Sequence, residues 1–150
     1  LGDLVDPAKG VGVTSLGSIT TAKGAVDITV GQGFGIEFFI TFVLVLVVFA
    51  SAADGNNSPN VKGSAPLAIG LSITTCHLFA IPLTGSSMNP ARSFGSNIVF
   101  AVGTENLWLY FLGPILGGIT AALVYQLCFQ ADPPKAKSEE YELAPTKDTA

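Results

Sequence analysis

Four polar side chains stand inside otherwise apolar sequence: Glu37, His77, Asn89 and Arg92. Asn89 is followed by Pro90, a pairing that suits a helix start: the asparagine caps, and proline takes the first helical position, where an N–H has no partner. Such an asparagine can cap its own helix and still present amide N–H groups to the oxygen of a passing solute. Arg92 follows three residues on, within the first helical turn, where the helix dipole disfavours a cation. Two positive sources aimed at one place repel cations, hydronium included, while neutral molecules exchange hydrogen bonds with them. Asn89 as a plain cap and Arg92 as a side chain reaching for the membrane surface are the structural alternatives. His77 stands alone, so a metal site is not implied. It is either a satisfied helix histidine or, in a narrow pore, a source of bulk and one hydrogen-bonding nitrogen. Glu37 sits one turn into an apolar segment and reads as a brace for buried N–H groups, not as a catalytic acid. The sequence offers no nucleophile–base pair, phosphate-cradling loop or metal cluster, so neither an enzyme nor a cofactor is expected.

These residues need elements that hold them at membrane depth. Of the 150 residues, 49% are apolar and 12% charged, and mean hydropathy is +0.54, which places the chain among membrane proteins. The stretch GSSMNPARSFGSNIVF, from Gly85 to Phe100, supports a helix of roughly a dozen residues, about 16 to 20 Å, or half of a ~30 Å hydrocarbon layer. It cannot span, and a half-helix inside a bilayer is tolerable beside protein or water. Residues 33–53, 65–83 and 105–130 are each apolar enough to span, the second carrying Ser72, Thr74, Thr75 and His77 on a face expected to meet protein or water. The fold class is therefore an all-α membrane protein with three transmembrane helices and one re-entrant half-helix over 84–104. Gly113 and Gly117 form a small-xxx-small pair suited to close helix contact. Trp108 and Tyr110 suit one membrane interface and Tyr125 the other.

The connecting segments read as loops: 1–32 polar and without sustained periodicity, 54–64 short and rich in Gly, Asn, Ser and Pro, and 131–150 too poor in apolar residues to fold alone. Three spans put the two ends on opposite sides. With the tail cytoplasmic, the inner segments hold Lys62, Lys135, Lys137 and Lys147 and the outer ones Lys9 and Lys23, so 1–32 is extracellular and 54–64 cytoplasmic. That orientation also discounts Asn56 as a glycosylation acceptor. The acidic pI of 4.7 comes partly from Glu139, Glu140 and Glu142 in the tail, and nucleic acid is not an expected partner. Cys76 and Cys128 both fall in apolar runs and read as buried free thiols. The opening LGDLVDPAKG has no basic leader and reads as a start in mid-protein.

The run SSMNPARSFGSNIVF, preceded by APLAIGLSITTCHLFAIPLTG and followed by WLYFLGPILGGITAALVYQ, resembles the C-terminal half of an aquaporin, of the major intrinsic protein family. Members of that family are inverted repeats of two three-helix halves whose half-helices meet at mid-membrane. The resemblance implies that 33–53, 65–83 and 105–130 are the fourth to sixth membrane helices and that Asn89, Pro90 and Ala91 are the second Asn-Pro-Ala motif. It further implies that His77, Ser86 and Arg92 line the selectivity filter, that the carbonyls of Gly85, Ser86, Ser87 and Met88 form an acceptor ladder, and that Glu37 braces the re-entrant loop. A filter histidine, and Ser93 where glycerol-conducting relatives carry an aspartate, imply a water-selective subtype. Partners implied are water, the lipid bilayer, sister subunits of a homotetramer and the N-terminal half of the channel, since the first motif, helices one to three and the filter aromatic are absent here. A plasma-membrane location goes with that reading. The alternatives are a glycerol channel, or a non-conducting structural, adhesive or truncated subunit. A coupled transporter is disfavoured, because Glu37 is the one carboxylate at depth.

Overall fold

The structure, a computed structural model, describes residues 12–55 and 57–130. Expectations for residues 1–11, for Asn56 and for the tail lie outside the described residues. In chain order come β1 (Ser18–Thr21), β2 (Gly24–Asp27), α1 (Val30–Val48) running on into a π-helical turn (Phe49–Ala53), α2 (Pro59–Thr84), α3 (Pro90–Phe100), a 3-10 turn (Thr104–Asn106) and α4 (Leu109–Cys128). Three helical stretches, Val30–Ala53, Asn60–Thr84 and Thr104–Cys128, are long and apolar enough to cross a membrane, with mean hydropathies of 2.5, 1.6 and 1.8.

Local capping chemistry moves the starts of α1 and α2 upstream of the sequence reading. α1 begins at Val30, not 33, because Thr29 and Gln32 form a capping box: Gln32 N–H donates to Thr29 Oγ1 (3.3 Å) and Thr29 N–H to Gln32 Oε1 (2.9 Å). α2 begins at Pro59, so the second half of the expected loop 54–64 is helix. Ser58 caps by accepting from Val61 N–H and Pro59 takes the first position, and these two outweigh a loop-like composition. The fourth helix proper begins at Leu109, after the 3-10 turn, and not at 105. Residues 1–32 are likewise not all loop: β1 and β2 pair antiparallel from Ser18↔Asp27 to Thr21↔Gly24 around Ala22-Lys23. Both strands are exposed along their length, so they carry no buried alternation for a sequence to display.

The packing centre is the α1–α4 contact. Gly113 and Gly117 do bring these helices close: a Cβ on Gly113 would lie 3.0 Å from Glu37 Cβ, and one on Gly117 only 2.3 Å from the Phe38 carbonyl oxygen. Gly117→Val therefore forces the helices apart and destabilises the protein by about 1–3 kcal/mol. Gly118→Ala, whose Cβ meets nothing nearer than 3.6 Å among the described residues, is not destabilising and gains up to about 1 kcal/mol of helix propensity. Thermal aggregation midpoints of the two variants in detergent check the contrast, and equal midpoints would contradict it.

Two aromatic assignments change. Tyr110 is wholly buried and donates its hydroxyl to the Thr84 carbonyl (2.9 Å), and Tyr125 is buried and donates to Asp54 Oδ2 (3.0 Å), so neither is an interfacial anchor. Each phenol ties α4 to another element, a use that sequence spacing does not distinguish from an interfacial belt. Trp108 stays half exposed, stacked on Phe34. Both cysteines are free; Cys76 is buried with Ile40, Ala80 and Met88, whereas Cys128 is exposed on the chain.

Candidate functional site

α2 ends where Gly85 takes a left-handed conformation (φ 76°) and returns its N–H to the Ile81 carbonyl. A side chain there would be strained by φ and would also meet Thr14 Cα at 2.9 Å, so glycine is required twice over. Ser86 (φ 51°) and Met88 (φ 53°) are also left-handed, which is uncommon for non-glycine residues and costs about 1–2 kcal/mol each. The re-entrant loop is thus a strained piece of backbone that needs support.

Glu37 supplies it. Its carboxylate is wholly buried and accepts from Thr84 Oγ1 (2.6 Å), Ser87 N–H (2.9 Å) and Met88 N–H (3.0 Å). All three partners are donors, which matches the acceptor-only character of a carboxylate. Thr84 Oγ1 in turn accepts from Ser86 N–H (3.2 Å), so α1 holds consecutive amides of the loop through one side chain.

Beyond the loop, Asn89 is extended (φ −155°, ψ 114°) and its Oδ1 accepts from Ala91 N–H (2.9 Å), with Pro90 opening α3. With Oδ1 committed to the cap, the exposed Asn89 keeps its Nδ2 hydrogens for another acceptor. α3 has 11 residues, about 16 Å, half of a ~30 Å hydrocarbon layer. It ends at Ala101, itself left-handed (φ 52°).

Arg92 does not reach away to a surface. Its Nη1 donates to the Gly12 carbonyl (2.6 Å) and its Nη2 to the Gly85 carbonyl (3.3 Å), so the fork is held between the segment before the hairpin and the re-entrant loop. Both hydrogen-bond partners are neutral carbonyls, and the half-buried guanidinium sits beside the N-terminus of α3. His77, half buried on α2, has Nδ1 2.9 Å from the Ile73 carbonyl. A carbonyl only accepts, so Nδ1 carries the hydrogen and Nε2 remains available.

Of the residues singled out by sequence, the structure joins Glu37 to Ser87 and Met88, Arg92 to Gly85, and Asn89 to Ser87 and Ala91. Among the described residues, His77 bonds within its own helix. Ser86 is wholly buried, and its Oγ has no hydrogen-bond partner among the described residues. Thr14, Thr84 and Asn97 belong to the same polar assembly and were not singled out by sequence; Ser93 and Tyr110 also belong to it, though the sequence had marked Ser93 only for the channel subtype and Tyr110 only as an interfacial aromatic. Asn89, Ser93 and Asn97 recur every fourth residue, a polar line along one face of an intramembrane helix that could have marked two of them. Thr14, Thr84 and Tyr110 carry no such signal, since their partners lie far away in the chain.

Three spanning helices with a re-entrant loop and a capped half-helix between the second and third define an all-α, multi-pass membrane protein. The model of the family "Major intrinsic protein" matches residues 9–125, and the chain belongs to that family. It is 45% identical over 129 residues to Aquaporin-4 of Rattus norvegicus, covering 86% of this chain and 38% of that protein. It is 48% identical over 101 residues to Aquaporin FA-CHIP of Pelophylax lessonae, covering 65% and 35%, and 43% identical over 114 residues to the probable aquaporin PIP-type 7a of Pisum sativum, covering 73% and 39%. The chain thus spans about two fifths of the length of the curated relatives it matches.

Proposed function

We propose that this chain supplies one half of a passive, osmotically driven water pore that excludes protons and ions. The observation that carries the reading is Arg92: a guanidinium with neutral partners, fixed beside the N-terminus of a membrane half-helix whose cap, Asn89, keeps free amide hydrogens. Two fixed positive sources repel hydronium and other cations, while water passes by exchanging hydrogen bonds in single file. In this reading Asn89 and Arg92 are the donor side, the carbonyls of Gly85, Ser86, Ser87 and Met88 the acceptor side, and His77 and Ser86 complete the constriction, with Pro90 and Ala91 shaping the half-helix entrance. Glu37 is the brace. The names of the relatives, aquaporins from rat, frog and pea, support the same assignment.

The unit is completed by an N-terminal half with a second half-helix, assembles as a homotetramer with one pore per subunit, and resides in the plasma membrane with 1–32 outside and 54–64 and 131–150 in the cytoplasm. The test is osmotic shrinkage of proteoliposomes carrying the protein at its natural length. Water permeability is expected well above that of empty vesicles, with glycerol flux and proton conductance at the empty-vesicle level. Glycerol flux comparable to water would make it a glycerol channel, and correctly assembled protein without osmotic permeability would make it structural or adhesive. Either result would overturn the proposal.

A further inference from the structure

Asn97 lies two turns along α3 from the cap and is wholly buried. Its amide is bonded on both sides. Oδ1 accepts from Thr14 N–H (3.2 Å) and from Ser96 Oγ (3.2 Å), and Nδ2 donates to the Thr14 carbonyl (2.8 Å) and the Gly103 carbonyl (3.2 Å). One side chain thereby pairs with both backbone groups of Thr14, as a neighbouring strand would. The Thr14 hydroxyl, also wholly buried, lies 2.8 Å from Ser93 Oγ and 3.1 Å from Asn97 Oδ1. From Ser93 the hydrogen bonds continue to Ser87 Oγ (2.6 Å) and then to the Asn89 carbonyl (2.9 Å). Two residues before Thr14 stands Gly12, whose carbonyl is the shorter of the two acceptors on Arg92.

We propose that Asn97 is a positioning residue for selectivity: by holding Thr14 against α3 it keeps the Gly12 carbonyl on the Arg92 guanidinium and so fixes how far Arg92 reaches into the pathway. Arg92 has two carbonyl partners on two separate segments. The Gly85 partner is fixed through the end of α2 and the Glu37 brace, whereas the Gly12 partner is only as fixed as the segment it belongs to. Asn97 is what joins both backbone groups of that segment at Thr14 to the same helix that carries Arg92. Without it, a buried N–H and a buried carbonyl at Thr14 are left seeking partners, and a segment in that condition shifts. The inference rests on the proposed pore.

The test uses the protein at its natural length in proteoliposomes. Asn97→Ala is expected to raise the ratio of urea to water permeability about three- to tenfold, the scale set by loss of a buried hydrogen-bonded contact. Combined with Arg92→Val it should add nothing to the ratio of Arg92→Val alone, because the effect runs through Arg92. An unchanged ratio in the single variant, or an additive rise in the double variant, would overturn the proposal. Thr14→Val, which keeps the backbone bonds to Asn97, should leave the ratio close to the parent's, whereas Asn97→Asp, which keeps an acceptor for the Thr14 N–H but has no donor for the Thr14 carbonyl, should raise it and decides the matter if Asn97→Ala does not assemble. A second readout needs no transport: the guanidinium nitrogen resonances of Arg92, which should move in Asn97→Ala as the Gly12 bond is lost. Wild-type vesicles impermeable to water would refute the water pore while leaving this spectrum to judge Asn97, and unchanged resonances would refute the positioning role.

Discussion

Replacing Arg92 by valine is expected to raise urea and glycerol permeability of the proposed pore, and to open a proton leak, each by about tenfold or more relative to water flux. The structure gives two reasons. The guanidinium occupies space between the Gly12 and Gly85 carbonyls, and valine leaves that space empty. The guanidinium's hydrogen-bond partners are neutral carbonyls and the Glu37 carboxylate acts on it only through space, so part of its field acts on whatever enters; at about 4 Å and an effective dielectric near 20 a unit charge is worth about 4 kcal/mol, and each 1.4 kcal/mol is tenfold in rate. Arg92→Lys separates the two effects. A lysine keeps the charge but cannot span both carbonyls with one planar fork, so cation exclusion should survive while solute size selection weakens. Stopped-flow light scattering with osmotic, urea and glycerol gradients, and a pH-sensitive dye for protons, measure all four quantities. If Arg92→Val excludes urea, glycerol and protons as well as the parent does, Arg92 is not a filter residue.

The second large effect concerns Glu37. Glu37→Leu leaves Thr84 Oγ1, Ser87 N–H and Met88 N–H without the acceptor they share, inside a buried site next to two left-handed non-glycine residues. Leaving buried donors without an acceptor costs about 1–3 kcal/mol each, and three at once are enough to prevent most of the protein from assembling. Glu37→Gln is a finer probe. Glutamine offers one acceptor oxygen and one donor group, so either the Met88 amide or the Thr84–Ser87 pair faces a donor, at about 1–3 kcal/mol. The expected order of stability in detergent is parent, then Gln, then Leu, read from thermal aggregation midpoints and the fraction recovered as assembled protein. Parent-like stability of both variants would show that the loop holds its conformation without the carboxylate.

What the residues could show by themselves was whatever local chemistry dictates. Asn89-Pro90 marks a helix start because a cap and a missing N–H act within one turn, and the length to Phe100 limits that helix to half a membrane by rise per residue alone. The three spans were legible because transfer into lipid depends on composition summed along a helix. Glu37 and Arg92 stood out because a charge in an apolar run demands an explanation. Helix starts were less legible: the Thr29–Gln32 box and the Ser58-Pro59 cap are local, yet glycine- and asparagine-rich surroundings masked them.

The tertiary structure decided who meets whom, because those contacts join residues that the chain keeps dozens of positions apart. That Glu37 reaches Ser87 and Met88, that Arg92 rests on Gly12 and Gly85, and that Asn97 pairs with both backbone groups of Thr14 are facts of packing, set by how closely α1 and α4 approach at Gly117 and by where the segment before the hairpin settles on α3. Periodicity carries no record of such pairings, since a hydrogen bond across the fold constrains neither partner's neighbours. The sequence alone therefore determined a membrane fold with a half-helix and named Arg92 as its charge, and only the folded chain determined what holds that charge in place.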